Sequence, residues 1–234
     1  MHNAPNAGSW KRHFFRRAEG VRTTWKFRIG CAVLIIVALW LTRGPLSVVI
    51  AQTLVCASEL APSDAILVDN LDPDYLTFER ASGLRKSGLA AKVLVPVQVG
   101  RDGEIPAAVA LGTAELMARI ARLGEFDVVP VRLVEPLSLN AAQDVLHYVR
   151  RNNLHSVIVV TPMFRSRRTA LVYEATLGRA GIGVRCEPVP GTRGVDTWAA
   201  SWHGIQQVAE QWLKLHYYKL YVLPFRLPPQ EVID

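Results

Sequence analysis

Residues 131–170, VRLVEPLSLNAAQDVLHYVRRNNLHSVIVVTPMFRSRRTA, hold two strand-to-helix transitions within one crossover unit, and they decide the fold. Val131–Val134 closes a β-rich run that Glu135-Pro136 ends, because proline donates no ladder hydrogen bond and restricts the residue before it. The pattern predicts a helix from about Ser138 or Asn140. With Asn140 as N-cap, Gln143 three residues on completes a capping box. Ser156–Val160 is a short β-branched run suited to a strand buried on both faces of a parallel sheet. Thr161-Pro162 reads as the N-cap and first residue of the next helix.

Working outward, Ala65–Val68, Lys92–Val97, Asp127–Val134 and Gly183–Pro188 read as further strands, with Pro130 placing the third at an edge. Helices are expected from Asp72-Pro73 to about Ser87, over Ala107–Leu123, through the arginine-led stretch to Ala180, and from Trp198 to about Leu220. Asp72 is the expected N-cap of the first of these, and Gly88 and Gly124 the stops. Five alternations of strand and helix predict an α/β fold: a Rossmann-like three-layer domain on a five-stranded, mostly parallel sheet in the order 3-2-1-4-5.

Ligands of such sheets bind where the strand order reverses, beyond the C-terminal strand ends. Asp69-Asn70 follows the first strand, Glu135 the third and Thr161 the fourth. Arg165, Arg167 and Arg168 crowd the first two turns of the helix after that strand, Arg165 and Arg168 on one face. Cations sit badly at a helix N-terminus, which the macrodipole already makes positive, and an anion relieves the conflict. In the alternative, one arginine pairs with Glu135 or Asp69 and the others are solvated. Glu135 is equally a binding or general-base carboxylate or the partner of Arg165 or Arg168, and Asn140 either caps its helix or touches ligand. The candidate ligand-binding set is Asp69, Asn70, Glu135, Ser138, Asn140, Thr161, Arg165 and Arg168. No residue is assigned a catalytic role. No histidine falls at a strand end, so His147, His155, His203 and His216 are read as structural or surface groups. No His/Asp/Glu spacing suggests a metal, and no cofactor is expected.

The net charge of +7 is unevenly placed. Residues 1–28 carry seven Lys/Arg against Glu19 alone, leaving 20 Lys/Arg and 19 Asp/Glu for the rest. A nearly neutral domain lacks the electrostatic footprint of a nucleic-acid binder. The basic tail instead precedes Ile29–Leu41, an uncharged apolar run that Arg43-Gly44-Pro45 interrupts before Leu46–Ala57 resumes it. Thirteen helical residues reach only ~20 Å of a ~30 Å bilayer core, so snorkelling by Lys26, Arg28 and Arg43 has to extend the span. The expected organisation is a basic cytoplasmic tail (1–28), one N-terminal transmembrane helix with its linker (29–57), an outward-facing domain (58–223) and an irregular C-terminal tail (224–234). A cleaved secretory signal and a buried helix of a cytosolic domain are the competing readings. The three cysteines are too few for a scaffold; Cys56 and Cys186 have the option of pairing in an oxidising compartment, but are expected to stay apart. Trp198, Trp202 and Trp212 are expected to pack the last helix onto the sheet, and Tyr217, Tyr218 and Tyr221 either to join them or to touch a membrane or partner.

From about Ser63 to Tyr221 the chain resembles the SanA/YdcF/ElyC-like family. The resemblance rests on SDAILV near Asp64, on Glu79-Arg80-Ala81 followed by Ser87-Gly88-Leu89-Ala90, and on Glu135 with Ser138 and Asn140. It continues in VIVVT ending at Thr161, Phe164 with Arg168, and Glu210 with Lys214 and Tyr217-Tyr218. It implies a membrane-anchored, periplasm-facing domain acting in cell-envelope or exported-polysaccharide biogenesis, with envelope-biogenesis proteins as partners and a phosphate-bearing or lipid-linked sugar ligand at the strand ends. The sequence departs from the family where chemistry is expected. Asp69-Asn70-Leu71-Asp72 and Pro96-Val97-Gln98 replace glycine-rich turns, Ala141 a threonine, Gln143-Asp144 a glutamate-asparagine pair, and Arg165 a histidine. Those departures leave two alternatives, a catalytically inactive scaffold or regulatory subunit of a membrane complex, and a phosphate-ester hydrolase or transferase.

Overall fold

The computed structural model describes residues 25–57, 59–100 and 107–227. The expectations for residues 1–24, for the core of the Gln98–Pro106 loop and for 228–234 lie outside them. The chain divides at residue 43 into two units. Helix α1 (Trp25–Gln52) runs across that division. It is not broken at Arg43-Gly44-Pro45, where the sequence pattern places an interruption. The Thr42 hydroxyl donates to the Ala38 carbonyl and the Ser47 hydroxyl to that of Gly44, so side-chain donors occupy carbonyls close to a proline that has no N–H to offer. Consecutive side chains Val33 to Val37 are all exposed, so no face of this stretch is covered. No single described helix is long and apolar enough to cross a membrane; Trp25–Ala38 and Trp40–Gln52, bent relative to each other, are so when taken together.

The second unit is the expected α/β sandwich. Strands β1 (Ala65–Val68), β2 (Lys92–Gln98), β3 (Asp127–Val131), β4 (Ser156–Pro162) and β5 (Gly183–Val189) form one sheet, all pairs parallel, in the order β3-β2-β1-β4-β5. Alternate residues feed two cores. Ala65, Leu67, Val157 and Val159 face the layer of α4 (Leu137–Arg151) and α5 (Met163–Thr176). Ile66, Val68, Ile158 and Val160 face α2 (Tyr75–Lys86) and α3 (Ala108–Ile120). Both faces of the central strands are dry, which is why they read as unbroken apolar runs. Pro130 lies on edge strand β3, its side chain exposed, where a missing N–H costs no ladder bond. The third strand ends at Val131 rather than Val134, since the Arg132 amide and guanidinium turn to the Asp144 carboxylate. Gly124 follows α3 at φ +80°, a left-handed position that favours glycine.

Several expected helix starts move. Asp74, not Asp72, caps α2 by accepting the Leu76 N–H at 3.0 Å, which leaves Asp72 for other work. Helix α4 opens at Leu137 after a cis Glu135–Pro136 bond, and Asn140 lies inside its first turn. The Asn140 amide donates to the Val134 carbonyl, and Glu135 Oε2 supplies the cap by accepting the Leu137 N–H at 3.1 Å. Thr161 and Pro162 belong to β4, not to the following helix. The described residues close with α6 (Trp202–Tyr217), one π turn (Tyr218–Val222) and α7 (Leu223–Arg226), so residues 224–226 are helical rather than irregular.

The cysteines also correct the expectation: Cys56 and Cys186 are disulfide-bonded. The Arg167 N–H donates to the Leu54 carbonyl and the Cys56 N–H to Ser166 Oγ, both at 2.9 Å. The segment after α1 is thereby laid along the start of α5, beside the strand that carries Cys186. Of the tryptophans expected to fasten the last helix, only Trp198 is buried, its indole N–H donating to the Ser47 carbonyl at 3.0 Å. Trp202 and Trp212 are exposed. Helix α6 meets the body through Val208 and Leu215 instead. Gly204 fits it against the preceding turn, because a Cβ there would stand 2.0 Å from the Trp198 carbonyl oxygen.

Candidate functional site

Beyond the C-terminal ends of β1 and β4, where the strand order reverses, lies a cavity of about 670 Å³ roofed by α6. Its floor is built around Asp69, the residue that follows β1 and is 5% exposed. Asp69 Oδ2 accepts the Thr161 hydroxyl at 2.7 Å and the Thr169 hydroxyl at 3.2 Å, and lies 3.1 Å from Arg165 Nε. That last contact is an ion pair without hydrogen-bond geometry, since the Nε proton finds no acceptor in line. Arg165 reaches onward to Asp72, Nη1 to the carboxylate at 3.3 Å and Nη2 to the backbone carbonyl at 3.2 Å. One guanidinium thus bridges two carboxylates, and Asp72, released from capping duty, is one of them.

Arg168, one turn on, is equally buried but differently served. Its Nη1 donates to Ser138 Oγ at 2.7 Å and its Nη2 to Gln211 Oε1 at 3.4 Å, while the guanidinium sits 5.4 Å over the Tyr218 ring. Among the described residues no carboxylate lies within ion-pair distance of it, and its Nε has no hydrogen-bond partner. Burial pulls the Arg168 pKa down, Asp69 opposes that, and the Arg165 charge adds to it. This is the signature of a cation short of counter-charge. Burial likewise pushes the neighbouring Tyr173 phenol far up, fixing it as a neutral wall.

Of the eight candidate residues, the structure brings Asp69, Glu135, Ser138, Arg165 and Arg168 to one cavity. The other three stand behind it. Thr161 is fully buried and orients Asp69; Asn70 donates to the Pro96 carbonyl; Asn140 serves Val134. Arg167 is exposed and faces elsewhere. The suggested pairing of Glu135 with Arg165 or Arg168 is not made: the carboxylate caps α4 and stays at the cavity wall. The α4 N-terminus offers no empty backbone donors at Leu137 or Ser138 either, since the Ser138 N–H donates to Tyr218 Oη at 3.1 Å.

The sequence reading missed the roof as a ligand wall. Helix α6 presents His203, Gln207, Glu210, Gln211 and Lys214 to the cavity, Lys214 paired with Glu210 at 2.5 Å. Their spacing of three and four residues is a legible polar stripe, and His203 joins it despite being read as a surface group. Counting the whole lining, three Lys/Arg face four carboxylates. Affinity for an anion therefore rests on Arg168 itself rather than on a broadly positive field.

Comparison with known families, curated proteins and solved structures gives no match. The site's chemistry has to be read from its own geometry.

Proposed function

We propose that this chain is a membrane-anchored α/β domain of SanA/YdcF/ElyC-like type, facing the periplasm or cell exterior, that binds a phosphate-bearing ligand in the cavity beyond β1 and β4. The observation that carries the ligand class is Arg168: a guanidinium 8% exposed, without an ion-pair carboxylate among the described residues, at the wall of that cavity. An oxyanion seated there supplies the missing charge, and hydrogen bonds to ionised groups are the strong ones. The resemblance extends this to a role in cell-envelope or exported-polysaccharide biogenesis alongside envelope proteins.

Two observations support the outward placement. Residues 33–37 are apolar and exposed all round, as suits a helix solvated by lipid. The bond between Cys56 and Cys186 belongs to an oxidising compartment, which the cytosol is not.

The scaffold reading is favoured by a separate feature, the mutual neutralisation of Arg165 by Asp69 and Asp72. Ligand titration decides between them. Purified full-length chain in detergent is screened by thermal shift against inorganic phosphate, sugar phosphates, nucleotides and polyprenyl phosphate, together with Arg168→Gln. Stabilisation that grows with ligand concentration and needs roughly 10- to 150-fold more ligand in the variant is the expected result, since a ligand that prefers the folded state raises its stability. A wild-type chain indifferent to all four ligand classes returns the domain to the scaffold reading.

A further inference from the structure

Among the described residues of the second unit, the exposed tryptophan, tyrosine and phenylalanine side chains all fall on α6 and the turns after it. Trp212, Leu213, Tyr217, Leu220, Tyr221 and Phe225 are all exposed and recur at three- and four-residue spacing along one side. Leu220 is 67% and Phe225 73% exposed. The rings stack on one another, Tyr217 on Tyr221 at 5.5 Å and Tyr221 near Phe225 at 5.9 Å, so the stripe is formed before anything covers it. From Gln211 to Leu227 there is no aspartate or glutamate; Lys214 is paired with Glu210, and Lys219 and Arg226 supply the positive charge of the face.

We propose that this aromatic and basic face docks on an anionic lipid surface, and that the cavity takes its phosphate from a lipid headgroup. Amphipathic rings with lysine and arginine beside them are the chemistry of a bilayer interface, where apolar groups reach the acyl boundary and cations meet the headgroups. A second copy of the chain is disfavoured by charge, because a twofold contact sets the same patch against itself and brings Lys219 and Arg226 towards their equivalents. Tyr217 joins the face to the site, since it belongs to the exposed stripe and also lines the cavity. The headgroup source rests on the reading of the cavity as a phosphate site; the docking does not.

The test is site-directed spin labelling of the full-length chain in a Cys31→Ser background, with Leu213→Cys, Leu220→Cys and Phe225→Cys on the face. Val109→Cys and Leu116→Cys on α3, exposed on the other side of the sheet, are the controls. Accessibility to oxygen and to a water-soluble nickel chelate is measured in phosphatidylglycerol–phosphatidylcholine vesicles and in phosphatidylcholine alone. The expected result is oxygen-dominated, lipid-like accessibility at 213, 220 and 225 in the anionic vesicles, water-like accessibility at 109 and 116, and loss of the contrast on Lys219→Gln/Arg226→Gln. Water-like labels at all five sites overturn the proposal, as does close label-to-label coupling at 213 without lipid access, which would mean self-association. Equal immersion in both vesicle types overturns the assignment to an anionic surface. Arg168→Gln separates the two readings: it weakens phosphate binding and leaves label depth unchanged, so water-like labels beside intact wild-type phosphate binding refute docking alone.

Discussion

Reducing the bond between Cys56 and Cys186 should cost this domain a large share of its stability, and the size follows from where the bond sits. The two cysteines are 130 residues apart, so the closed loop takes in the sheet through its fifth strand. Chain-entropy bookkeeping for a loop of that length gives about 5 kcal/mol, and native disulfides deliver typically 2–4 because the unfolded chain is not a free coil. For a urea dependence of about 2 kcal/mol per molar, the unfolding midpoint should fall by roughly 1–2 M. The assay is equilibrium urea unfolding of the full-length chain followed by tryptophan fluorescence, with and without reductant. Both sulfurs are buried, so reductant has to be present throughout the transition rather than added to folded protein. Thiol titration of denatured, unreduced protein from native membranes completes the measurement. One reactive thiol, Cys31, is expected before reduction and three after. Three thiols before reduction, or one midpoint under both conditions, would refute the bond and with it the chief physical support for an outward-facing domain.

Other substitutions test the site and its mounting. Arg168→Gln should weaken phosphate binding by the worth of one charged hydrogen bond, about 1.5–3 kcal/mol or roughly 10- to 150-fold in Kd by calorimetry. Its unfolding free energy without ligand should stay within about 1 kcal/mol, because the lost bond to Ser138 is offset by relief of an unpaired buried charge. Gly204→Ala sets a methyl against a backbone oxygen that no side-chain rotation can clear. It should cost about 3 kcal/mol, seen as a melting point roughly 6–12 °C lower by calorimetry. Asp64 has its pKa lowered, first by the His155 N–H and further by Ser156, so it stabilises the fold above the ordinary carboxylate pKa near 4 and loses that effect as the pH falls through its folded value. The stability gap between wild type and Asp64→Asn should therefore be largest at pH 6 and narrow as the pH falls below about 4; a gap that does not change with pH would refute this role.

The fold was legible because its signals are local and redundant. Five apolar runs separated by helical periods leave few arrangements other than a doubly covered parallel sheet, and Pro130 alone is enough to send its strand to an edge. Helix starts were less legible, since capping is a competition that sequence spacing does not decide. Asp72 and Asp74 both suit the cap of α2, and the one left over pairs with Arg165 across 93 residues of chain. Asn140 lost to Glu135 for a similar reason: a carboxylate two residues before Leu137 already reaches its N–H. The disulfide was illegible because it depends on how the segment after α1 is laid against α5, a packing fact carried by Leu54, Ser166 and Arg167 rather than by any cysteine pattern.

Arg165 and Arg168 show how far a site can be read before structure is needed. Their i, i+3 spacing correctly places them on one face of one helix, and the helix dipole correctly makes that face short of negative charge. Nothing in the spacing says that the shortage is met for one and not for the other. Arg165 lies under the end of β1, where Asp69 and Asp72 reach it from the same loop. Arg168 lies a turn further along, over Tyr218, where its hydrogen-bond acceptors are the neutral Ser138 and Gln211 and carboxylates act on it only from beyond ion-pair distance. A double substitution would therefore mislead, because Arg165→Ala leaves two carboxylates unpaired at the cavity floor whereas Arg168→Gln removes a charge that has no partner to strand. The two arginines separate structure from function: loss of the first should unfold the floor whatever the cavity holds, and loss of the second should be felt only when an anion is present.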